Sequence, residues 1–212
     1  MVDAHKIHRL FGDHQPQIIG IGGREYAVLL PLMKREEELC LLLEKRAHTI
    51  SQPGEISFPG GRRDRSDLSL LDTALRETFE ELGIERRDIE VISPFNTVIP
   101  PYNKVIYSFL GQVREGARLS VNVEEVEEVI FVPLRYLLET EPLHYPGEIG
   151  VKQSPMFPFD KIPNGKNYNF MKGRYDTYFY EYKEVVIWGL TASLIKSFVD
   201  TLRNGLDFDR GL

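Results

Sequence analysis

Residues 58–84 read FPGGRRDRSDLSLLDTALRETFEELGI, and the fold is decided by how this stretch divides. Pro59-Gly60-Gly61 breaks a short strand, a polar loop follows, and a helix is predicted from about Ser69 to Leu82, ended by Gly83 at the C′ position. At about 100° per residue, Leu71, Ala74, Leu75, Thr78, Phe79 and Leu82 share one broad stripe, expected to face the core. The same arithmetic gathers Glu77, Glu80 and Glu81 on the opposite side, because i, i+3 and i+4 are surface neighbours.

That gathering is unfavourable by itself. Glu77 and Glu81 repel at i, i+4, and all three carboxylates sit near the helix C-terminus, where the dipole favours cations. A hard divalent cation such as Mg²⁺ reverses both penalties. A solvated acidic face is the plain alternative for a Glu-rich helix taken alone. Two neighbours argue for chemistry instead. Gly60-Gly61 lets backbone approach a metal or phosphate closely, and Arg76 can hold the Glu77 carboxylate by a charge-assisted hydrogen bond.

Working outward, residues 26–32 read as a buried strand and 38–44 as a second, joined by the charged turn 34–37 as a hairpin. Residues 55–58 form a short strand before the glycines. Strands are expected again over 89–93, 104–112 and 126–132, then a short helix from Pro133 through Leu138. Residues 141–176, rich in Pro, Gly and Asn, read as a loop-rich insertion or lid. Residues 178–187 read as strand material, and Leu190, Leu194, Ile195, Phe198 and Leu202 mark a C-terminal helix. A short amphipathic helix is expected over residues 3–11. Gly20-Ile21-Gly22-Gly23 opens a strand rather than a helix and so reads as a turn, not a nucleotide loop. The order of elements is that of an α/β sandwich with mixed strands.

A chain of 212 residues with 42% apolar and 27% charged residues has the composition of an ordinary globular protein and fits one embellished domain. The net charge of −6 leaves no cationic surplus to hold a polyanion, so neither nucleic acid nor a membrane surface is an expected partner. No apolar run reaches the length of a membrane span, and no export signal is visible. Cys40, alone, lies in an apolar run and reads as a buried thiol, which suits a reducing cytoplasm.

Gly61, Asp67 and the run Arg76-Glu77-Thr78-Phe79-Glu80-Glu81-Leu82-Gly83-Ile84 resemble the Nudix box, G-x5-E-x7-R-E-U-x-E-E-x-G-U, where U is a bulky apolar residue. Asp67 stands for the first Glu, eight residues rather than seven separate it from Arg76, and Thr78 holds a U position. The resemblance implies a Nudix-type α/β/α sandwich with a mixed β-sheet, spanning residues 26–205 after an N-terminal helical extension over 1–25. The box itself occupies about 61–84. It also implies a pyrophosphohydrolase that uses Mg²⁺ or Mn²⁺, with Glu77, Glu80, Glu81 and the Gly61 carbonyl as metal ligands. Glu80 and Arg76 are further expected to take part in catalysis. The general base is either a glutamate of the box or a downstream carboxylate, for which Glu125 aligns best.

Upstream, residues 42–61 are similar to the signature L-L-T-x-R-S-x-x-L-x-x-H-x-G-x-x-x-F-P-G-G of coenzyme A pyrophosphatases. Arg46, Gly54, Phe58, Pro59, Gly60 and Gly61 match, while Glu44, Ala47, Ile50 and Gln52 depart. This resemblance implies CoA or a derivative as the small-molecule substrate, bound near Arg46, Gly60 and Gly61, with 4′-phosphopantetheine and 3′,5′-ADP as products. ADP-ribose, NADH or a dinucleoside polyphosphate remains the alternative substrate, and a non-catalytic nucleotide sensor the alternative class; a homodimer is left open. Arg62, Arg63 and Arg65 read as solvated loop cations. The aromatics Tyr168, Phe170, Tyr175, Tyr178, Phe179, Tyr180 and Tyr182 read as strand and core packing.

Overall fold

The structure, a computed structural model, describes His5 and residues 24–101 and 103–210. Apart from His5, the residues of the expected helix over 3–11 lie outside the described residues, as does the glycine turn at 20–23. The hairpin is present as β1 (Glu25–Arg35) and β2 (Glu38–Arg46). Its two-residue turn places Glu36 and Glu37 at φ 50° and 67°, the left-handed geometry that suits the twist of paired strands.

β1 organises the rest. It pairs with β2 through its C-terminal half, with β4 (Gly60–Arg62) through its N-terminal half, and in parallel with β6 (Val105–Val113) along its length. β5 (Ile89–Val98) extends the sheet beyond β6, while β3 (Ile56–Ser57) and β7 (Val126–Pro133) pair with β2. The β1–β6 pair is the parallel element of this otherwise antiparallel sheet, so the expected mixed sheet is present.

Successive β1 residues serve opposite faces, as the strand pleat requires. Ala27 and Leu29 pack with Ala74, Leu75 and Leu82 of α1 (Leu70–Leu82). Leu30 and Leu32 pack with Ile195, Phe198 and Val199 of the C-terminal helix α3 (Gly189–Arg210). Each fully buried leucine here is worth about 1.5–3 kcal/mol, so the sheet is held from both sides. α2 (Leu134–Glu139) follows β7 directly, as Pro133 suggests.

Two expectations need correction. Residues 141–176 are not loop throughout: β8 (Leu143–Gly150) pairs residue for residue with β9 (Lys172–Tyr182), and β10 (Val185–Trp188) completes a second, three-stranded antiparallel sheet. Pro146 and Gly147 hide the strand in sequence, yet both fit because β8 is an edge strand with one side free of ladder bonds. On α1, Phe79 is exposed, whereas Thr73 and Glu81 are buried, so the core stripe lies to one side of the predicted one. No described helix is long and apolar enough to cross a membrane.

Candidate functional site

A cavity of about 480 Å³ opens between the glycine turn at Gly60-Gly61, Glu77 and Glu81 of α1 and the start of α3. Ser69 caps α1, accepting a hydrogen bond from the Asp72 N–H at 3.1 Å, and Gly83 ends it at φ 67° with its N–H bonded to the Phe79 carbonyl. The helix so fixed directs Glu77 and Glu81 into the cavity.

Glu81 is only 3% exposed, and one carboxylate oxygen accepts the Gly60 N–H at 2.8 Å. Glu77 lies against Gly61, where a Cβ would come within 2.4–2.6 Å of its carboxylate atoms, so this position requires the missing side chain. Glu125, just before β7, lines the same cavity and accepts a hydrogen bond from Asn122 Nδ2 at 3.2 Å. Its carbonyl accepts the Ala47 N–H, which ties this turn to the irregular end of the β2–β7 ladder.

Arg76 stands behind these groups rather than among the cavity residues. It bonds both oxygens of Asp67, at 2.9 and 3.0 Å, reaches Glu77 at 2.7 Å and Glu80 at 2.9 Å, and donates to the Arg62 carbonyl at 3.1 Å. This clamp holds the Asp67 carboxyl well below the usual carboxylate range. Asp67 therefore takes the first acidic position of the box as the anchor of Arg76. Glu80 is not brought to the cavity: its side chain is 48% exposed and pairs with Arg76 on the solvent side.

The wall facing α1 comes from the loop after β2. Arg46 closes that loop on itself, its Nε donating to the Ser51 carbonyl at 3.0 Å and its backbone bonded to Gly54 and Glu55. Arg46, Ile50, Gln52 and Gly60 all line the cavity. Thus Arg46, Gly60, Gly61, Glu77, Glu81 and Glu125 are brought together, and Arg76 and Glu80 form a supporting layer.

Sequence reasoning missed Glu44. It is fully buried on β2, one oxygen accepts the Ser57 hydroxyl at 3.2 Å, and the other has no partner. Burial pushes its carboxyl up, with smaller contributions from the Glu125 and Glu77 charges against the pull of Ser57 and Arg46, and Glu81 is pushed up by burial and then by the charge of Glu44. Glu77 is raised as well, chiefly by burial, against the opposing pull of Arg76. The available signal was a charged residue inside the buried run Leu41-Leu42-Leu43-Glu44. Lys104, also in the cavity wall, carried no signal in sequence.

Each of these carboxylates is held by its own donor, and among the described residues no three acidic, histidine or cysteine side chains are already drawn together as an ion shell. The donor set nevertheless fits a hard divalent cation: oxygen atoms only, one orphaned buried carboxylate oxygen, and mutual repulsion that positive charge would relieve.

The NUDIX domain model matches residues 23–151. A Nudix hydrolase NudL of Photorhabdus laumondii is 29% identical over 85% of this chain and 86% of its own length. The mouse peroxisomal coenzyme A diphosphatase NUDT7 is 33% identical over 66% of this chain and 60% of its own. Among solved structures, a MutT/nudix family protein from Enterococcus faecalis superposes with a TM-score of 0.49 at 15% identity, over 97% of this chain and 70% of that one.

Proposed function

The chain belongs to the Nudix family and is a pyrophosphohydrolase, and from that premise we propose that its substrate is coenzyme A or a CoA derivative, cleaved to 4′-phosphopantetheine and 3′,5′-ADP. One observation carries the reading. The loop over residues 46–55, whose sequence resembles the CoA signature, walls the same cavity as Glu77, Glu81 and Glu125. The name of the mouse relative, a CoA diphosphatase, supports it.

Glu77, Glu81 and the Gly61 carbonyl would hold the divalent ion, Mg²⁺ or Mn²⁺, that Nudix hydrolases use. Bound there, such an ion neutralises pyrophosphate charge and lowers the pKa of water. The chain's own groups do the rest. Arg76 positions Glu77 and is itself fixed by Asp67 and Glu80. Arg46 places a guanidinium in the wall for phosphate oxygens. Glu125 serves as general base: Asn122 occupies its Oε1, leaving Oε2 to accept a proton from the attacking water. Water adds to one phosphorus, the bridging P–O bond breaks, and the second phosphate departs with the bridging oxygen.

The test is mass-spectrometric product analysis after incubation with CoA and Mg²⁺ or Mn²⁺, with an EDTA control. Metal-dependent 4′-phosphopantetheine and 3′,5′-ADP are expected. Turnover of ADP-ribose or NADH with CoA left intact would discard the substrate and keep the enzyme class.

A further inference from the structure

The cavity contains a second region that bond cleavage does not use. Across the sheet floor, Arg62 of β4, Tyr26 of β1, Ile106 of β6 and Val98 of β5 stand in one row, because the registers set Tyr26 between Arg62 and Ile106 with Val98 beyond. All four line the cavity. Arg62 is two residues along β4 from Gly60, so the row lies about 7 Å from the turn that carries the carboxylates. Lys104 closes it, with its ammonium 4.9 Å from the centre of the Tyr26 ring.

These two cations differ from their neighbours. Arg63 is paired with Glu25 at 3.0 Å and Arg76 with Asp67, Glu77 and Glu80, yet neither Arg62 nor Lys104 has an ion-pair partner among the described residues. In a chain of net charge −6, two cations that face the cavity and are paired with no carboxylate among the described residues suit an anion by charge complementarity. Their floor is a tyrosine ring and two aliphatic side chains, which suits a flat, weakly polar group. An anion attached to a flat ring describes a phosphorylated nucleoside. Trp188, Leu190 and Leu194, at the junction of β10 and α3, add apolar lining to the same cavity and suit an uncharged arm.

We propose that Arg62 and Lys104, over the Tyr26, Ile106 and Val98 floor, form a subsite for a phosphate carried on the nucleoside end of the substrate, which sets the direction in which the substrate lies. The inference rests on the reading of the substrate as CoA, whose nucleoside end carries a 3′-phosphate besides the pyrophosphate. The Arg62 carbonyl that receives Arg76 belongs to the backbone, so replacing the side chain leaves that clamp in place.

The experiment is calorimetric titration of the metal-free protein with 3′,5′-ADP and with 5′-AMP, which differ by that one phosphate. The wild type should bind 3′,5′-ADP about tenfold or more tightly than 5′-AMP, the scale of one or two charge-assisted hydrogen bonds. The gap should narrow in Arg62→Ala and in Lys104→Ala and close in the double variant, but persist in Trp188→Ala. Equal binding of the two nucleotides by the wild type, or a gap unchanged in the double variant, overturns the subsite. CoA hydrolysis is measured on the same preparations. Cleavage of CoA with an unchanged gap sinks the subsite alone, and intact CoA with a gap that closes in the double variant sinks the substrate reading alone.

Discussion

At the scale of the residue, the centre depends on atoms that are missing or unpartnered as much as on those present. Gly61 matters for the side chain it lacks. Gly61→Ala would push a methyl group into the Glu77 carboxylate, the far end of a flexible side chain, so Glu77 yields and the fold survives. Turnover should fall about tenfold or more while the melting temperature changes little; full activity would show that Glu77 need not lie against the turn. Glu81→Gln keeps shape and removes the charge. It should lower kcat by about 10²-fold or more with an unchanged circular dichroism spectrum. Retained Mg²⁺-dependent turnover would remove Glu81 from the metal centre.

At the scale of the element, α1 owes its placement to a clamp as well as to its apolar face. The helix is capped at both ends and packed on β1, but Asp67 and Arg76 join it to the loop that leads away from the glycine turn. Asp67→Asn removes one of two parallel charge-assisted bonds. Arg76 keeps 27% of its side chain exposed, so screening limits the cost to about 1–2 kcal/mol. A thermal melt should show that loss, and kcat should fall with it because Arg76 no longer fixes Glu77. An unchanged melt would show that packing alone sets the helix. The clamp also explains how a shorter acidic residue with one extra residue in the loop serves here: Asp67 accepts from Arg76, Thr73 and the Asp64 N–H, and is complete as a fourfold anchor.

At the scale of the whole molecule, two groups of carboxylates act in opposite pH ranges. Asp64, Asp67, Asp72, Glu127 and Asp176 are held below their ordinary values by hydrogen-bonded partners, so they stabilise the fold above the normal carboxylate range and lose that effect in acid. Glu44, Glu77 and Glu81 are raised. The folded state then binds more protons than the unfolded chain, and stability falls as pH climbs from the ordinary value of 4.5 upward. The metal-free protein should therefore melt lower at pH 8 than at pH 6, Glu44→Gln should flatten that slope, and added Mn²⁺ should raise the melting temperature more at pH 8. A metal-free melting temperature that rises from pH 6 to pH 8 would contradict the buried acidic cluster.

The sequence by itself determined the helix, its glycine stop and its acidic ridge, because periodicity, capping and i, i+3, i+4 spacing are local properties of residues 69–83. It determined the hairpin and the alternation of strand and helix for the same reason. Only the tertiary structure decided which carboxylates meet. Glu80 and Glu81 are adjacent in sequence, yet one pairs with Arg76 at the surface and the other is buried against Gly60, since α1 is rotated on the sheet by what packs beneath it. Glu44 and Lys104 arrive from a strand and a turn far apart in the chain, and no local pattern announces a residue whose role comes from its distant neighbours; Glu125 was named through the family resemblance, and the fold alone brings it to the cavity of Glu77 and Glu81. The second sheet was hidden likewise: β8 carries Pro and Gly, and its stability comes from pairing with β9 across more than twenty intervening residues.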